Sequence, residues 1–218
     1  MEEEIPDKNL FMICTALKER ALSTLPVGYH LRTCRRDELE LWKSIHFDDT
    51  ATAEEYHPYM TEYFTRVYAP QADRFFQTCL FVCPDSDKPD ADHPIATAFI
   101  WKAYDRFQTV HWFKVVKEYE GRGIGRALLS AIMRDLRADD YPVYLHTQPG
   151  SYRAIKLYSD FGFKLLSDPV IGHRQNDLAE CLPILERYMP SAFFNQLQIT
   201  QAPADFLQAL APFADEQF

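Results

Sequence analysis

The residues best suited to chemistry form a short glycine-rich turn in the middle of the chain. Six consecutive residues make it up: Gly121, Arg122, Gly123, Ile124, Gly125 and Arg126. Glycines at positions i, i+2 and i+4 permit positive φ angles and remove side chains, so neighbouring backbone N–H groups can converge on an anion. A helix that begins at this turn adds unpaired N–H groups and about half a positive charge. The pattern predicts a pyrophosphate-binding turn, with the two arginines adding positive charge.

Two better-known nucleotide loops do not fit this segment. The dinucleotide fingerprint G-x-G-x-x-G requires a glycine where the chain has Arg126, or Leu128 if the count starts at Gly123. The P-loop requires Gly-Lys followed by Ser or Thr, which is absent from the sequence. A glycine-rich strand-to-helix turn that holds no ligand is the alternative left open by the turn alone.

The elements that must position this turn follow from hydrophobic periodicity. The sequence predicts strands at 29–35, 78–83, 96–104, 109–116, 142–147 and 163–166. It predicts helices at 9–25, 37–47, 54–69, 124–138 and 151–161, and a Pro/Asp-rich surface loop at 84–94. Neighbouring antiparallel strands followed by strand–helix–strand crossovers indicate a mixed sheet covered by helices. The helix at 54–69 is rich in aromatic residues, which fits either a core face or a pocket wall.

At the glycine turn and the helix after it, the sequence resembles the GNAT superfamily of acyl-CoA-dependent N-acyltransferases. The resemblance runs from about residue 29 to 168 and is sharpest over VVKEYEGRGIGRALL and AIKLYSDFGF. It implies an α/β (α+β) fold with a mixed, mostly antiparallel sheet and flanking helices, acetyl-CoA as cosubstrate, and no metal. The family loop reads Arg/Gln-x-x-Gly-x-Gly/Ala. Gly123 and Gly125 match it, whereas Glu120 stands where Arg or Gln is usual.

The resemblance also assigns roles outside the turn. Tyr158 matches the family tyrosine that protonates the departing thiolate, and a core tyrosine is the alternative reading. Thiol and phenol have similar reference pKa values, about 8.5 and about 10, so this proton transfer is nearly balanced. Backbone groups near Phe113, Val115 and Val116 would bind pantetheine, on a strand that splays from the strand at 142–147. Ser151 replaces the usual Asn at the start of the 151–161 helix and can cap it.

An amine must lose a proton before it attacks a thioester, because its pKa is near 10. His111 and Glu118, both near the glycine turn, are the candidate bases. His111 has a suitable reference pKa of about 6.5 but could simply face the other side of the sheet. Glu118 could equally be a solvated surface charge. Direct attack with a water relay is the third option, and no covalent acyl-enzyme is needed.

Composition limits the partners. With 23 basic and 32 acidic residues, the formal net charge is −9. No basic run suggests nucleic-acid binding. No apolar stretch is long enough to span a membrane. Five irregularly spaced cysteines and an acidic N-terminus predict reduced thiols in a cytoplasmic protein rather than disulfides, a zinc site or a secretory signal. The acidic surface weakly favours a cationic or amphipathic small-molecule amine as the partner.

The predicted organisation has three parts: a helical N-terminal extension at 1–28, an acyl-CoA N-acyltransferase domain at 29–168 and a C-terminal extension at 169–218. The last part is expected to hold a helix at 177–188 interrupted by Pro183, a strand at 193–199 and a final helix at 204–213. It could cover the sheet, form a homodimer contact or border the substrate site. The leading function is an acetyl-CoA-dependent N-acetyltransferase working through a ternary complex. The alternatives are a non-catalytic acyl-CoA-binding sensor or partner module, and an enzyme that modifies protein amines.

Overall fold

The computed structural model describes residues 5–87 and 90–218. The acidic start of the chain at 1–4, and residues 88–89 of the predicted Pro/Asp-rich loop, lie outside the described residues. The predicted fold class is confirmed, because helices flank a mixed and mostly antiparallel sheet. Contacts within the chain divide it into two compact units. Unit 1 comprises residues 1–21, 102–109 and 137–218, and unit 2 comprises residues 22–101 and 110–136.

Unit 2 carries the predicted glycine turn. Its strands are β2 (Tyr29–Thr33), β3 (Leu80–Pro84), most of β4 (Ala96–Ala103) and the second half of β5 (Phe107–Val115). They lie in the order β5-β4-β3-β2, and the β2–β3 and β3–β4 pairs are antiparallel. Its helices are α1 (Leu39–Ser44), α2 (Thr50–Tyr63), α3 (Ala72–Thr78) and α4 (Ile124–Met133). Helix α3 was not foreseen from the sequence.

The core of unit 2 is unusually aromatic. Trp42, Tyr68, Phe75 and Phe99 are completely buried, and their rings meet mostly edge-on. Helix α2 continues into one turn of π-helix at Phe64–Tyr68. A π-helical turn brings residues five apart onto one side, and the rings of Tyr63 and Tyr68 lie 5.6 Å apart. Much of the aromatic excess over 54–69 is therefore core.

Unit 1 holds the remaining strands and helices. Its strands are β1 (Leu10–Cys14), the start of β5, β6 (Val143–Thr147), β7 (Lys164–Leu166), the hairpin β8 (Val170–Ile171) and β9 (Arg174–Gln175), and β10 (Ile199–Thr200). The sheet order is β10-β7-β1-β6-β5. Its helices are α5 (Tyr152–Phe161), α6 (Leu178–Tyr188), α7 (Ser191–Phe194) and α8 (Ala204–Leu210). Strand β1 is antiparallel to β6 and β7, whereas the β5–β6 and β7–β10 pairs are parallel.

The predicted N-terminal helix at 9–25 is wrong. Leu10–Cys14 instead form β1, and all five residues are buried. A strand buried on both faces loses the alternation of apolar and polar residues, so a short apolar run can resemble one side of a helix. After β1, the segment continues through a short 3-10 turn at Glu19–Ala21. The expected helical extension is thus a strand between β6 and β7.

The C-terminal segment differs from its prediction at two points. Residues 193–199 do not form a strand, because Ser191–Phe194 is the helix α7 and only Ile199–Thr200 pairs, in parallel, with β7. Pro183 lies inside α6 without ending it. It is the sixth residue of that helix, which buries Leu178, Cys181 and Leu185. The final helix was predicted correctly and is α8.

Candidate functional site

The glycine turn begins where β5 ends. After Val115, a 3-10 turn at Lys117–Tyr119 leads into Glu120, whose backbone is extended. Gly121 and Gly123 have φ angles of +74° and +82°, in the left-handed region that favours glycine. Gly123 is the N-cap of α4. The predicted strand–glycine turn–helix arrangement is therefore present.

The first backbone N–H groups of α4 follow directly on this turn. The bond at the start of α4 runs from the Ala127 N–H to the Gly123 carbonyl at 3.1 Å, so the preceding N–H groups lie ahead of the helical ladder. A Cβ atom on Gly121 would meet nothing within 4 Å, and one on Gly123 would meet only Pro26 Cγ at 3.8 Å. Glycine is thus required here by backbone conformation rather than by crowding. The turn thus stands at a helix N-terminus, which is a favourable place for a diphosphate.

Arg122 is tied to the base of the turn. Its guanidinium donates to the Glu118 carbonyl at 2.9 Å and to the Tyr29 hydroxyl at 3.4 Å. It also lies 4.9 Å from the centre of the Tyr119 ring. The Tyr119 hydroxyl in turn donates to Asp90 at 2.6 Å. These contacts anchor the turn to neighbouring parts of unit 2 and hold one positive charge beside it.

The two candidate bases have different surroundings. His111 is only 3% exposed, and its Nδ1 lies 2.5 Å from the Tyr68 hydroxyl. The same hydroxyl accepts a hydrogen bond from Trp112 Nε1 at 2.9 Å. Glu118 is exposed, in the 3-10 turn before the glycines. One candidate is therefore a buried, hydrogen-bonded imidazole, and the other is a surface carboxylate.

Sequence reasoning missed the importance of Tyr68 and Trp112. Trp112 lies within β5 but has a φ of +50°, which is rare for a bulky residue and breaks the regular pleat of a strand. The hydrogen bond from its indole to Tyr68 connects this strained position to the π-helical turn. π-Helical turns and positive-φ residues are both concentrated at functional sites. No residue type in the strand signals this geometry, because a tryptophan predicts an ordinary buried strand.

A further histidine also lies beside Trp112. The ring of His46 is 4.7 Å from that of Trp112, and its Nε2 is buried without a hydrogen-bond partner among the described residues. Burial, with a smaller effect from the charge of Lys114, lowers the pKa of His46 to about 3. This imidazole is therefore neutral at physiological pH and a poor proton acceptor.

The predicted pantetheine-binding residues Phe113, Val115 and Val116 are half-buried and lie at or just after the end of β5. The Val116 N–H donates to the Ile95 carbonyl at 2.9 Å. That amide is therefore already used within unit 2. Any main-chain contact to a ligand from this segment would have to come from its other N–H and carbonyl groups.

Tyr158 and Ser151 belong to unit 1. Tyr158 is 5% exposed, lies on α5 and has its ring 5.8 Å from that of Phe163. Burial raises the pKa of its phenol well above the usual value. Ser151 precedes α5, but its side chain makes no capping hydrogen bond there. The predicted helix position of both residues is correct, while the capping role of the serine hydroxyl is not seen.

One group of potential metal ligands does not fit a cation. His30, Cys83 and Asp92 offer ligand atoms within 4.8 Å of one another. Both carboxylate oxygens of Asp92 accept from arginines, Arg32 and Arg35, each at 2.8 Å. Two guanidinium charges at the same carboxylate oppose a further cation. The group is better explained as an ion-pair network that fastens Asp92 to Arg32 of β2 and to Arg35 after it.

A family model described as the acetyltransferase (GNAT) family matches residues 41–163, more than half of the chain. The chain belongs to this family. The match contains the glycine turn, the strained strand and Tyr158. Among curated proteins, none matches the sequence significantly. In the described part of this GNAT chain, no helix is both long and apolar enough to cross a membrane.

The solved structures similar to this chain share little sequence identity with it. A tandem GNAT protein from the clavulanic acid biosynthesis pathway, solved without acetyl-CoA, is 14% identical with a TM-score of 0.50, and the match covers 74% of this chain and 50% of that one. A Drosophila protein is 17% identical with a TM-score of 0.49, covering 74% and 49%. A GNAT acetyltransferase from Colwellia psychrerythraea is 11% identical with a TM-score of 0.47, covering 75% and 54%. The chain thus spans about half the length of these structures.

Proposed function

We propose that this chain is an acetyl-CoA-dependent N-acetyltransferase that acts on a primary amine. The observation that carries the proposal is the glycine turn, with two left-handed glycines placed directly at the N-terminus of α4. A protein of net charge −9 repels polyanions in general, so it needs a local device to hold a diphosphate. The turn supplies backbone donors and a helix dipole for that purpose.

The residues present fit coenzyme A. The diphosphate would be held by the backbone at 121–126, with Arg122 and Arg126 adding positive charge. The segment containing Phe113, Val115 and Val116 would bind the pantetheine arm through main-chain groups, and Ser151 is the remaining candidate contact. No metal is required for this reaction.

In the proposed reaction, the neutral amine nitrogen attacks the thioester carbonyl carbon. A carbon–nitrogen bond forms, the carbon–sulfur bond breaks, and the amine loses one proton while the thiolate gains one. Orientation of the two reactants can supply about 7–11 kcal/mol of the barrier reduction. Backbone donors would stabilise the oxyanion that develops on the carbonyl oxygen.

Tyr158 is the proposed proton donor to the thiolate. Burial keeps the phenol protonated at neutral pH, so the proton is present when the thiolate leaves, but the raised pKa also makes the phenol a weaker acid and the transfer less balanced than the reference values imply. The proton taken from the amine goes to His111, to Glu118 or to a water relay. The contact between His111 and Tyr68 makes the imidazole part of a hydrogen-bonded group, which supports a water relay over direct proton transfer to its Nδ1.

A second candidate function is a GNAT module that binds acyl-CoA without turnover. Glu120 favours it, because a carboxylate replaces the usual Arg or Gln at the glycine turn and repels phosphate. The burial of Tyr158 beside Phe163 is also what a purely structural tyrosine would show.

Thiol release from acetyl-CoA in the presence of an amine panel separates the two functions. Release that depends on the amine, with formation of the acetylated amine by mass spectrometry, supports the transferase. If coenzyme A raises the melting temperature but no amine gives thiol, the binding module replaces it. If coenzyme A neither binds nor stabilises the chain, both functions are wrong.

A further inference from the structure

Exposed aromatic side chains are few in the described residues, and they are not scattered. Tyr56 and Tyr59, both on α2, are 47% and 51% exposed, and Phe193 on α7 is the third. Large aromatic surfaces are normally buried unless they meet a ligand or partner. Two of them on one helix of unit 2 therefore indicate a contact surface.

Tyr56 and Tyr59 share one face of α2 with a third tyrosine, Tyr63, which is buried in the core. Tyr56, Tyr59 and Tyr63 are spaced at i, i+3 and i+7, which places them on one side of a helix. We call these three residues the tyrosine stripe. The rings of Tyr59 and Tyr63 lie 6.1 Å apart, and the Tyr63 ring lies 5.4 Å from that of Trp112. The stripe thus runs from solvent to the strained residue of β5, the strand that leads into the glycine turn.

Negative charge beside the tyrosine stripe favours a cationic ligand. Glu55 and Glu62 lie four residues before and three residues after Tyr59, so they are its neighbours on the helix surface. Both are exposed, and α2 contains no lysine or arginine. Carboxylates flanking an exposed aromatic ring attract a protonated amine and repel anionic ligands.

The ring faces of the stripe also accept a cation. The Arg66 guanidinium lies 5.3 Å from the centre of the Tyr63 ring. An aromatic face attracts a cation through its quadrupole. This contact shows that a flat cationic group packs against the stripe in the protein itself.

We propose that the tyrosine stripe binds the acceptor and selects an arylalkylamine, meaning a primary amine carried on a short chain from an aromatic ring. The ring would pack against Tyr56 and Tyr59, and the ammonium would be drawn in by Glu55 and Glu62 before it is deprotonated. The proposal rests on the acetyl-transfer function and names the class of its substrate.

The test compares 2-phenylethylamine with n-propylamine as acceptors for the wild type and Tyr59→Ala. We expect wild type to prefer 2-phenylethylamine, and Tyr59→Ala to reduce that preference about fivefold, mainly through KM for the amine. KM for acetyl-CoA should not change, and Tyr59→Phe should retain the preference because it keeps the ring. Phe193→Ala, which removes the exposed aromatic of unit 1, is the matched control and should behave as wild type.

The role of charge is tested with Glu55→Gln combined with Glu62→Gln. We expect KM for 2-phenylethylamine to rise in low salt and the difference from wild type to shrink in high salt. An unchanged acceptor preference in Tyr59→Ala overturns the stripe as the acceptor surface. Preference for a lysine peptide over 2-phenylethylamine also overturns it.

Saturation-transfer NMR of 2-phenylethylamine separates failure of this inference from failure of the acetyl-transfer function, since it needs no turnover. Binding to wild type that is lost in Tyr59→Ala supports the stripe even if no thiol is released, in which case only the acetyl transfer is wrong. If amines cause thiol release and Tyr59→Ala does not change that release, acetyl transfer is supported and the stripe is refuted.

Discussion

Glu120 directly precedes the glycine turn, and its charge opposes the proposed ligand. We predict that Glu120→Arg tightens coenzyme A binding by about tenfold, because a repulsive charge near the phosphates becomes an attractive one, worth about 1.4 kcal/mol. Isothermal titration calorimetry at low and moderate salt measures the effect. Glu186→Arg makes the same change in net charge at an exposed position of α6 and is the control. Equal affinities for Glu120→Arg and wild type would place the Glu120 side chain away from the phosphates.

Tyr158 is predicted to act in proton transfer rather than in folding alone. Tyr158→Phe keeps the ring beside Phe163 and removes only the hydroxyl. Loss of a general acid lowers the rate by about 10²–10⁴-fold, so we expect kcat to fall in that range while the Kd for coenzyme A stays near wild type. Steady-state kinetics and calorimetry provide the two values. A parallel loss of both activity and binding would assign Tyr158 a structural role.

Tyr68 is predicted to be a positioning residue. Its hydroxyl bonds Trp112 Nε1 and His111 Nδ1, and Tyr68→Phe leaves both nitrogens without that oxygen at a cost of about 1–3 kcal/mol. We expect a lower kcat, an unchanged Kd for coenzyme A and a shifted Trp112 indole signal in ¹⁵N NMR. Phe75→Leu, in the same core cluster, lowers stability without removing a polar group and should keep kcat. Wild-type kcat in Tyr68→Phe would rule this role out.

In the proposed function the turn between β5 and α4 binds through its backbone, so we expect its glycines to tolerate no side chain. At φ +82°, an alanine at position 123 costs about 1–2 kcal/mol, although it has room beside Pro26. We predict that Gly123→Ala weakens coenzyme A binding at least fivefold, as measured by calorimetry. Gly172→Ala is the matched control, because it imposes similar strain at φ +62° in unit 1, against ordinary contacts with Leu210. If both variants lower the melting temperature and neither affects coenzyme A, the turn does not bind the diphosphate.

Stability of the whole molecule should fall on mild acidification because each unit contains a largely buried histidine with a lowered pKa. Burial lowers the pKa of His46 and of His146 to about 3, the second with a smaller contribution from Arg174. In the unfolded chain both imidazoles take up a proton near pH 6.5, whereas in the folded chain they stay neutral down to about pH 3. The contribution of the two neutral histidines to stability is therefore complete above about pH 6.5 and is lost as pH falls toward 3. Between pH 7 and pH 5, each histidine lowers the free energy of unfolding by at most about 2 kcal/mol.

Urea unfolding at pH 7 and pH 5 tests this expectation. The carboxylates with lowered pKa values, such as Asp92 beside Arg35 and Arg32, lose their contribution only at lower pH, near and below about 4. The decrease between pH 7 and pH 5 therefore reports on histidines. His46→Phe should remove about half of it, and a decrease of wild-type size in that variant would show that His46 titrates normally.

Much of the site was predictable from the sequence because it depends on local rules. Glycine spacing, the apolar face of α4 and the helical period around Tyr158 specify backbone conformations and faces within a few residues of each other. The strands of unit 2 and the helices α4 and α5 were predicted for the same reason. The mixed sheet with flanking helices also followed from the order of these elements.

The sequence by itself thus determined the strand–glycine turn–helix arrangement, the type of most elements and the fold class. Only tertiary structure decided that Leu10–Cys14 is a strand between β6 and β7, because burial on both faces erases the polar alternation that marks a strand. Only tertiary structure joined Tyr68 to Trp112, which are 44 residues apart, through a π-helical turn and a left-handed residue in β5. Such contacts depend on packing between distant segments, and no local pattern of residue types encodes them.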